Sequence, residues 1–126
     1  MDTKDVIARY YELANAGEWN AWSDLFATDQ SMDEQLAGHI EGRETLRGMV
    51  VEGFPKMYRS FQNQPRLIVV DGEQAAVVSH ISARTLAGES VEADVANYFR
   101  VVDGQIAYMA NFHDTVPFRP VTGNGG

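Results

Sequence analysis

The sequence predicts an α+β domain in which helices pack on one face of a strongly curved antiparallel sheet. Three observations carry that expectation. Apolar residues recur at intervals of three and four as far as Tyr58, they change to β-rich runs from Phe61 onward, and those runs are separated by Asp71-Gly72, Ala87-Gly88 and Asp103-Gly104. With 126 residues, 44% of them hydrophobic, the chain has the length of one globular domain that can bury a core and keep a modest pocket.

The first helix is expected from Thr3 to Ala16, where Val6, Ile7, Tyr10, Tyr11, Leu13 and Ala14 fall on one stripe. Asp2 or Thr3 can cap its start and Gly17 its end. Trp19, Trp22, Leu25 and Phe26 make a short second helix ending near Ala27 and Thr28, so the two form a helical hairpin. In the weakly alternating stretch Asp29 to Glu41, Met32, Leu36 and Ile40 mark short strands around a turn near Gly38. Gly42 opens a third helix with Leu46, Met49, Val50, Phe54 and Met57 on one face; Pro55 disturbs its last turns, and it ends near Tyr58.

Strands then follow at Leu67 to Val70, Ala75 to Thr85, Val91 to Val102 and Gln105 to Asp114, an antiparallel meander. Strict alternation in the last strand puts Ala107, Met109, Asn111 and His113 on one face and Ile106, Tyr108, Ala110 and Phe112 on the other. One face is thus more polar and the other more aromatic. The domain is expected over residues 1–118, with residues 119–126, rich in glycine at Gly123, Gly125 and Gly126, as a flexible tail.

Composition excludes several function classes. Eighteen acidic against ten basic side chains give a formal charge of -8, which repels phosphate backbones and anionic headgroups, so neither nucleic acid nor a membrane surface is an expected partner. Leu67 to Val70 and Ala75 to Val78 are far shorter than the roughly 18 residues of a membrane span. Met1 to Asp5 lacks the basic and apolar parts of a secretory signal, so the mature chain is expected to begin here and to reside in the cytoplasm. With no cysteine there is no disulfide, thiolate zinc site or cysteine nucleophile. His80 and His113 stand outside any short metal-binding spacing, and no phosphate-cradling glycine motif or serine-hydrolase elbow occurs, so no metal and no cofactor is expected.

Several short strings resemble the nuclear transport factor 2-like superfamily, specifically its ketosteroid isomerase and SnoaL-like polyketide cyclase branches. These are Arg9-Tyr10, Asn15-Ala16-Gly17-Glu18, Leu25-Phe26-Ala27, Gly42-Arg43-Glu44 and Val102-Asp103-Gly104-Gln105-Ile106, spread over nearly the whole chain. The resemblance implies a cone-shaped α+β barrel with a deep apolar pocket, often dimeric. It also implies positions: Tyr10 matches an oxyanion-donating tyrosine, Glu34 a catalytic carboxylate base and Asn97 a second oxyanion donor. In the cyclase branch Asn97 stands where a pocket histidine is found and Asn111 where an aspartate does acid–base chemistry. An amide there can bind an oxygen but cannot carry a proton at neutral pH.

The residues themselves leave choices. A one-residue slip in register exchanges Asp33 for Glu34 as the inward carboxylate. Tyr10 lies on the buried stripe and is either a core residue or, with Asn97, a donor to one substrate oxygen. His113 and Asn111, about 7 Å apart on one strand face, can enter the same pocket, where the imidazole replaces the absent aspartate as proton carrier. His80 joins them only if Val78, His80 and Ser82 point inward, whereas Val77, Ile81 and Ala83 look the more apolar. Met109 and Phe54 are expected in the apolar wall.

The expected function is a cofactor-independent isomerase- or cyclase-like enzyme acting on an apolar, polyketide- or steroid-like carbonyl compound by proton transfer and enolate stabilisation. Glu34 or His113 moves the proton, Tyr10 and Asn97 hold the oxyanion, and Asn111 orients the substrate. A noncatalytic small-ligand-binding module or a dimerisation scaffold is the alternative. Epoxide hydrolysis ranks third, for want of paired aspartates with an intervening arginine. A homodimer is expected through Tyr98, Tyr108 and Phe112, which would otherwise expose an apolar patch.

Overall fold

The computed structural model describes residues 1–122. Helix α1, Thr3–Ala16, starts where the Asp2 carboxylate accepts from the Asp5 N–H and stops at Gly17, whose φ of 72° lies in the left-handed region that favours glycine. Helix α2 is only Trp19–Ser23. The expected second helix therefore ends early, because Phe26 already begins strand β1, Phe26–Glu34, and leaves helical spacing to pair in parallel with Ile106. The turn expected near Gly38 lies at residues 35–37, Gly38 opens β2, Gly38–Glu41, and Leu36, expected to mark a strand, sits exposed in the turn.

The third helical pattern is divided in three: α3, Arg43–Gly48, a π-helical turn, Met49–Gly53, and α4, Phe54–Met57, with Pro55 in its first turn. Four strands complete the meander: β3, Tyr58–Asp71; β4, Gln74–Thr85; β5, Ser90–Val102; and β6, Gln105–Phe112. A 3-10 turn, Val116–Phe118, leads into α5, Arg119–Thr122. The helical turn over 119–122 replaces the first half of the expected tail; residues 123–126 lie outside the described residues.

All six strands form one curved, unclosed sheet in the order β2-β1-β6-β5-β4-β3, antiparallel except where β1 meets β6. Burial alternates through β4 and β5, so Val77, Ser79, Ile81 and Ala83 face inward with Val91, Ala93, Val95, Asn97 and Phe99. The alternation expected for β6 breaks at Ala107. Arg100 pairs with Tyr108 but Val101 with Ile106, a bulge that puts both Ile106 and Met109 at 0% exposure on the inner face. A second shift, between Pro65 and Leu67, falls on edge strand β3, where proline can stand without a donor.

Two apolar cores form on the inner face. The larger joins α1, α2 and α3 to Phe26, Phe99, Ile106 and Met109. The smaller lies at the other end of the long strands, where Ile81, Ala83, Val91, Ala93 and Val95 are covered by Phe118, with Val121 packed against them. Tyr10 is the hub of the aromatic packing in the first, at 5.0 Å from Phe99 and 5.4 Å from Trp22 between ring centroids.

The outer sheet face carries two histidines, each between two carboxylates. His39 Nδ1 and Nε2 contact Asp33 Oδ1 at 2.7 Å and Glu41 Oε1 at 2.6 Å; His80 Nδ1 and Nε2 contact Asp94 Oδ1 and Glu92 Oε1 at 2.8 and 2.9 Å. His80 is therefore not a pocket residue. Ser79 and Ile81 take the inward positions beside it, and period-two alternation turns its ring outward.

Hydrogen bonds to Asp33 and Glu41 raise the His39 pKa and those to Glu92 and Asp94 raise that of His80; Asp33 is lowered by its bonds to Tyr108 and His39, and Glu92 and Asp94 by theirs to His80. The histidines favour the fold below about pH 6.5 and lose that contribution as pH rises through their elevated folded values; the carboxylates contribute above about pH 4 and lose it on acidification. Thermal melts should therefore show a stability maximum between these limits. In the double variant His39→Gln, His80→Gln the decline from pH 6 to 8.5 should flatten, and an unchanged decline would assign the pH dependence to other groups.

Candidate active site

A cavity of about 380 Å³ lies between the two cores, within the range of roughly 300–1,000 Å³ usual for small-molecule sites. Its wall is mostly apolar: Trp19, Met32, Phe54, Phe61 and Val95 are among the residues that face it. Among the expected site residues Glu34, Tyr10, Asn97, His113, Asn111 and Phe54 all line it. Met109 does not. It keeps the inward parity of Asn111 but lies one inward position farther into the larger core, paired with Phe99 and Met32, and Met32 faces the cavity instead.

Glu34 and Asp33 are separated by alternation on β1. Asp33 turns out, its Oδ2 accepting from the Tyr108 hydroxyl at 2.6 Å, and Glu34 turns in behind the buried Met32. Glu34 Oε2 accepts from the backbone N–H groups of Leu36 and Ala37, each at 2.7 Å, so the turn between β1 and β2 holds the carboxylate in place. Its Oε1 meets His113 Nε2 at 2.8 Å. His113 Nδ1 lies 2.8 Å from the Asp114 carbonyl oxygen, which can only accept, so Nδ1 carries a hydrogen. One further proton then occupies the Nε2–Oε1 contact, on nitrogen as an ion pair or on oxygen as a neutral pair. The His113 side chain is only 3% exposed and its ring packs 4.7 Å from Phe118.

Pairing across three strands places Glu34 beside Asn111 and Asn111 beside Asn97, a polar rung on an otherwise apolar inner face. Asn97 is held more tightly than the sequence suggests. Its Nδ2 donates to the Tyr11 hydroxyl at 2.9 Å and to Ser79 Oγ at 3.0 Å, so both amide hydrogens are committed inside the protein and neither is left to form the expected donor pair with Tyr10. Asn111 Oδ1 is buried without a hydrogen-bond partner. Two phenols stand near the carboxylate. Burial first, then the charges of Tyr11 and Glu34, hold Tyr10 well above the ordinary phenol range, and burial with the Glu34 charge pushes Tyr58 up to about 12. Both remain neutral donors at any physiological pH.

Sequence reasoning missed Tyr11, Tyr58, Ser79, Trp22 and Asn63 as cavity or network residues. Ser79 shares the parity of Val77 and Ile81, which was a legible signal; the hydroxyl of Tyr11 reaches Asn97 across 86 residues, which no local pattern reveals. Among the described residues no group of three or more His, Asp and Glu side chains could hold a metal ion. No helix among them is long and apolar enough to cross a membrane.

Comparison with known proteins gives the family context for this site. The SnoaL-like domain family matches residues 7–109. No curated protein matches the chain. Among solved structures, a nuclear transport factor 2-like protein from Burkholderia thailandensis E264 is 18% identical, with 97% of this chain and 98% of that one covered and a TM-score of 0.85. A candidate polyketide cyclase from Xanthomonas campestris pv. campestris is 19% identical over 92% and 93% of the two chains, with a TM-score of 0.83. A protein of ketosteroid isomerase-like fold from Catenulispora acidiphila DSM 44928, in complex with trimethylamine, is 15% identical over 96% and 94%, with a TM-score of 0.83. At these identities the likeness is one of fold: a curved, unclosed six-stranded sheet with N-terminal helices.

The Asn97 network can be tested by removing its acceptors. Tyr11→Phe leaves one buried amide hydrogen unpaired, at a cost of about 1–3 kcal/mol, and a melting temperature lowered by several degrees is expected. Ser79→Ala should do the same, and the double variant should be non-additive because both hydroxyls serve one amide. Additive losses would show that the two hydroxyls act independently.

Proposed function

The chain belongs to the SnoaL-like domain family, and on that premise we propose that it is a cofactor-independent enzyme that moves a proton at a carbon beside a carbonyl group in an apolar ring compound. The observation that carries this reading is the Glu34–His113 contact at the wall of a mostly apolar cavity. With the proton on His113, Glu34 is a carboxylate able to take hydrogen from the substrate carbon, while Tyr10 and Tyr58 donate to the oxygen on which charge develops. Delivery of that proton to another carbon completes an isomerisation; attack of the enolate carbon on a second carbonyl closes a ring. Asn111 orients the substrate, and Asn97, bound to Tyr11 and Ser79, acts through its carbonyl oxygen or as part of the wall.

The outer sheet face supports a homodimer. Leu67, Val78, Ala96 and Phe112 follow one another across β3, β4, β5 and β6, with Tyr98 and Tyr108 beside them. Leu67 and Phe112 are 66% and 55% exposed, an apolar band that a second copy of this chain would cover. Light scattering should report about 28 kDa, twice the 14.0 kDa chain, and a monomer at micromolar concentration would remove this proposal.

The activity is tested with 2-tetralone in heavy water, whose hydrogens beside the carbonyl exchange through an enolate. The protein should accelerate their loss from the proton spectrum, and 2-naphthol, which resembles that enolate, should inhibit. Glu34→Gln should lower the exchange rate by about 10²–10⁴-fold with inhibitor binding nearly kept. Full exchange in Glu34→Gln would remove Glu34 as the base. If 2-naphthol binds and no carbonyl compound exchanges, the cavity is a binding site without proton transfer, a reading that the neutral amides at Asn97 and Asn111 favour.

A further inference from the structure

Asn63 occupies the cavity wall far from the proton-transfer pair. It stands on β3, four strands from Glu34 on β1, opposite Ile81 and two residues from Phe61. Its residue exposure is 6%, and its side-chain Oδ1 is buried with no hydrogen-bond partner. The main chain at this point is fixed with unusual care for an edge strand. Asn15 at the end of α1 accepts from the Asn63 N–H at 2.6 Å and donates to its carbonyl oxygen at 2.9 Å, so the backbone that carries this amide is clamped.

A buried polar group without a partner costs stability, and an apolar side chain of similar size would relieve that cost. Nothing in the fold uses the Asn63 amide: the Asn15 clamp engages only its backbone, and the neighbours on its face are apolar. Retention of an amide on a clamped backbone, in a wall otherwise built for ring compounds, points to a bound partner.

We propose that the cavity has a second polar pole, formed by Asn63, which selects ring compounds bearing a hydroxyl group at the end remote from the reacting carbonyl. A hydroxyl both donates and accepts, so it matches either end of an amide. The inference rests on the reading of the Glu34 end as a carbonyl site and adds the substrate class: hydroxylated, not bare, polycyclic carbonyl compounds. Such a pole discriminates strongly, because a ligand lacking the hydroxyl leaves the buried amide unpaired.

The test compares 2-naphthol with its hydroxylated forms, 1,6-, 2,6- and 2,7-dihydroxynaphthalene, by calorimetric titration of the intact protein. At least one dihydroxy isomer should bind roughly 5- to 100-fold more tightly than 2-naphthol, the span associated with pairing one buried group. Asn63→Leu should abolish that increment while leaving 2-naphthol affinity unchanged, and should raise the melting temperature of the unliganded protein. Asn63→Ala, which removes the same amide, should likewise abolish the increment and serves as the second variant if Asn63→Leu does not fold. The proposal is overturned if no isomer gains over 2-naphthol or if the gain survives both substitutions. Loss of 2-naphthol binding in the wild type would instead remove the carbonyl-site reading and this inference with it. Binding of 2-naphthol with exchange of 2-tetralone but no hydroxyl increment overturns the second pole alone.

Discussion

The rest of this structure depends on a mismatch of length between its two layers. Strand β5 has 13 residues and spans about 43 Å, whereas α1, with 14 residues, spans about 21 Å. One helical hairpin cannot cover the inner face of such a sheet. The helices cover one end, the C-terminal turn with Phe118 covers the other, and between these caps the inner face has no layer to pack against. Curvature brings α3, the π-helical turn and α4 over the gap without filling it. The cavity is thus what remains when a short helical layer and a short C-terminal cap share a long sheet.

Position within that gap determines the chemistry available to each polar side chain. Glu34 stands at the end of β1, where the following turn supplies two N–H donors, and His113 just beyond β6, where the chain leaves the sheet. Both belong to strand ends, as a proton-carrying pair that must communicate with the cavity requires. Asn97 lies in mid-strand and is tied to Tyr11 and Ser79, so it stiffens the floor. Tyr10 joins the two regimes, for its ring is the hub of the larger core and its phenol feels the Glu34 charge.

The sequence made the element order, the three glycine-bearing turns and the whole of α1 legible, because each rests on local physics: caps, periodicity and turn dipeptides. It misread Phe26, whose helical spacing from Trp22 is overridden by pairing with β6, and it missed the start of β3, where polar residues and Pro65 conceal a strand edge. Part of the site was legible through the resemblance, which pointed to Glu34, Tyr10, Asn97 and Asn111, and part through the residues themselves, which added His113 and Phe54; all six line the cavity. Met109 has the expected inward face but lies within the larger core, a depth that alternation does not give, and His80 was misplaced by parity. The register ambiguity between Asp33 and Glu34 could be resolved only by the outward partners of Asp33, His39 and Tyr108, which lie on two other strands. Tyr11 and Asn63 are placed by contacts many residues apart and left no pattern to read, whereas Ser79 was legible in its parity with Val77 and Ile81.

The central claim is that the gap between the two cores is a site where a carbonyl oxygen meets the phenol donors beside the Glu34–His113 pair. A crystal structure of the protein soaked with 2-naphthol tests it most directly. The account predicts the ring between Trp19, Phe54 and Val95, with its oxygen within about 3.2 Å of a Tyr10 or Tyr58 hydroxyl or of Glu34. A naphthol oxygen turned away from all three, or an empty cavity at saturating ligand, would contradict it.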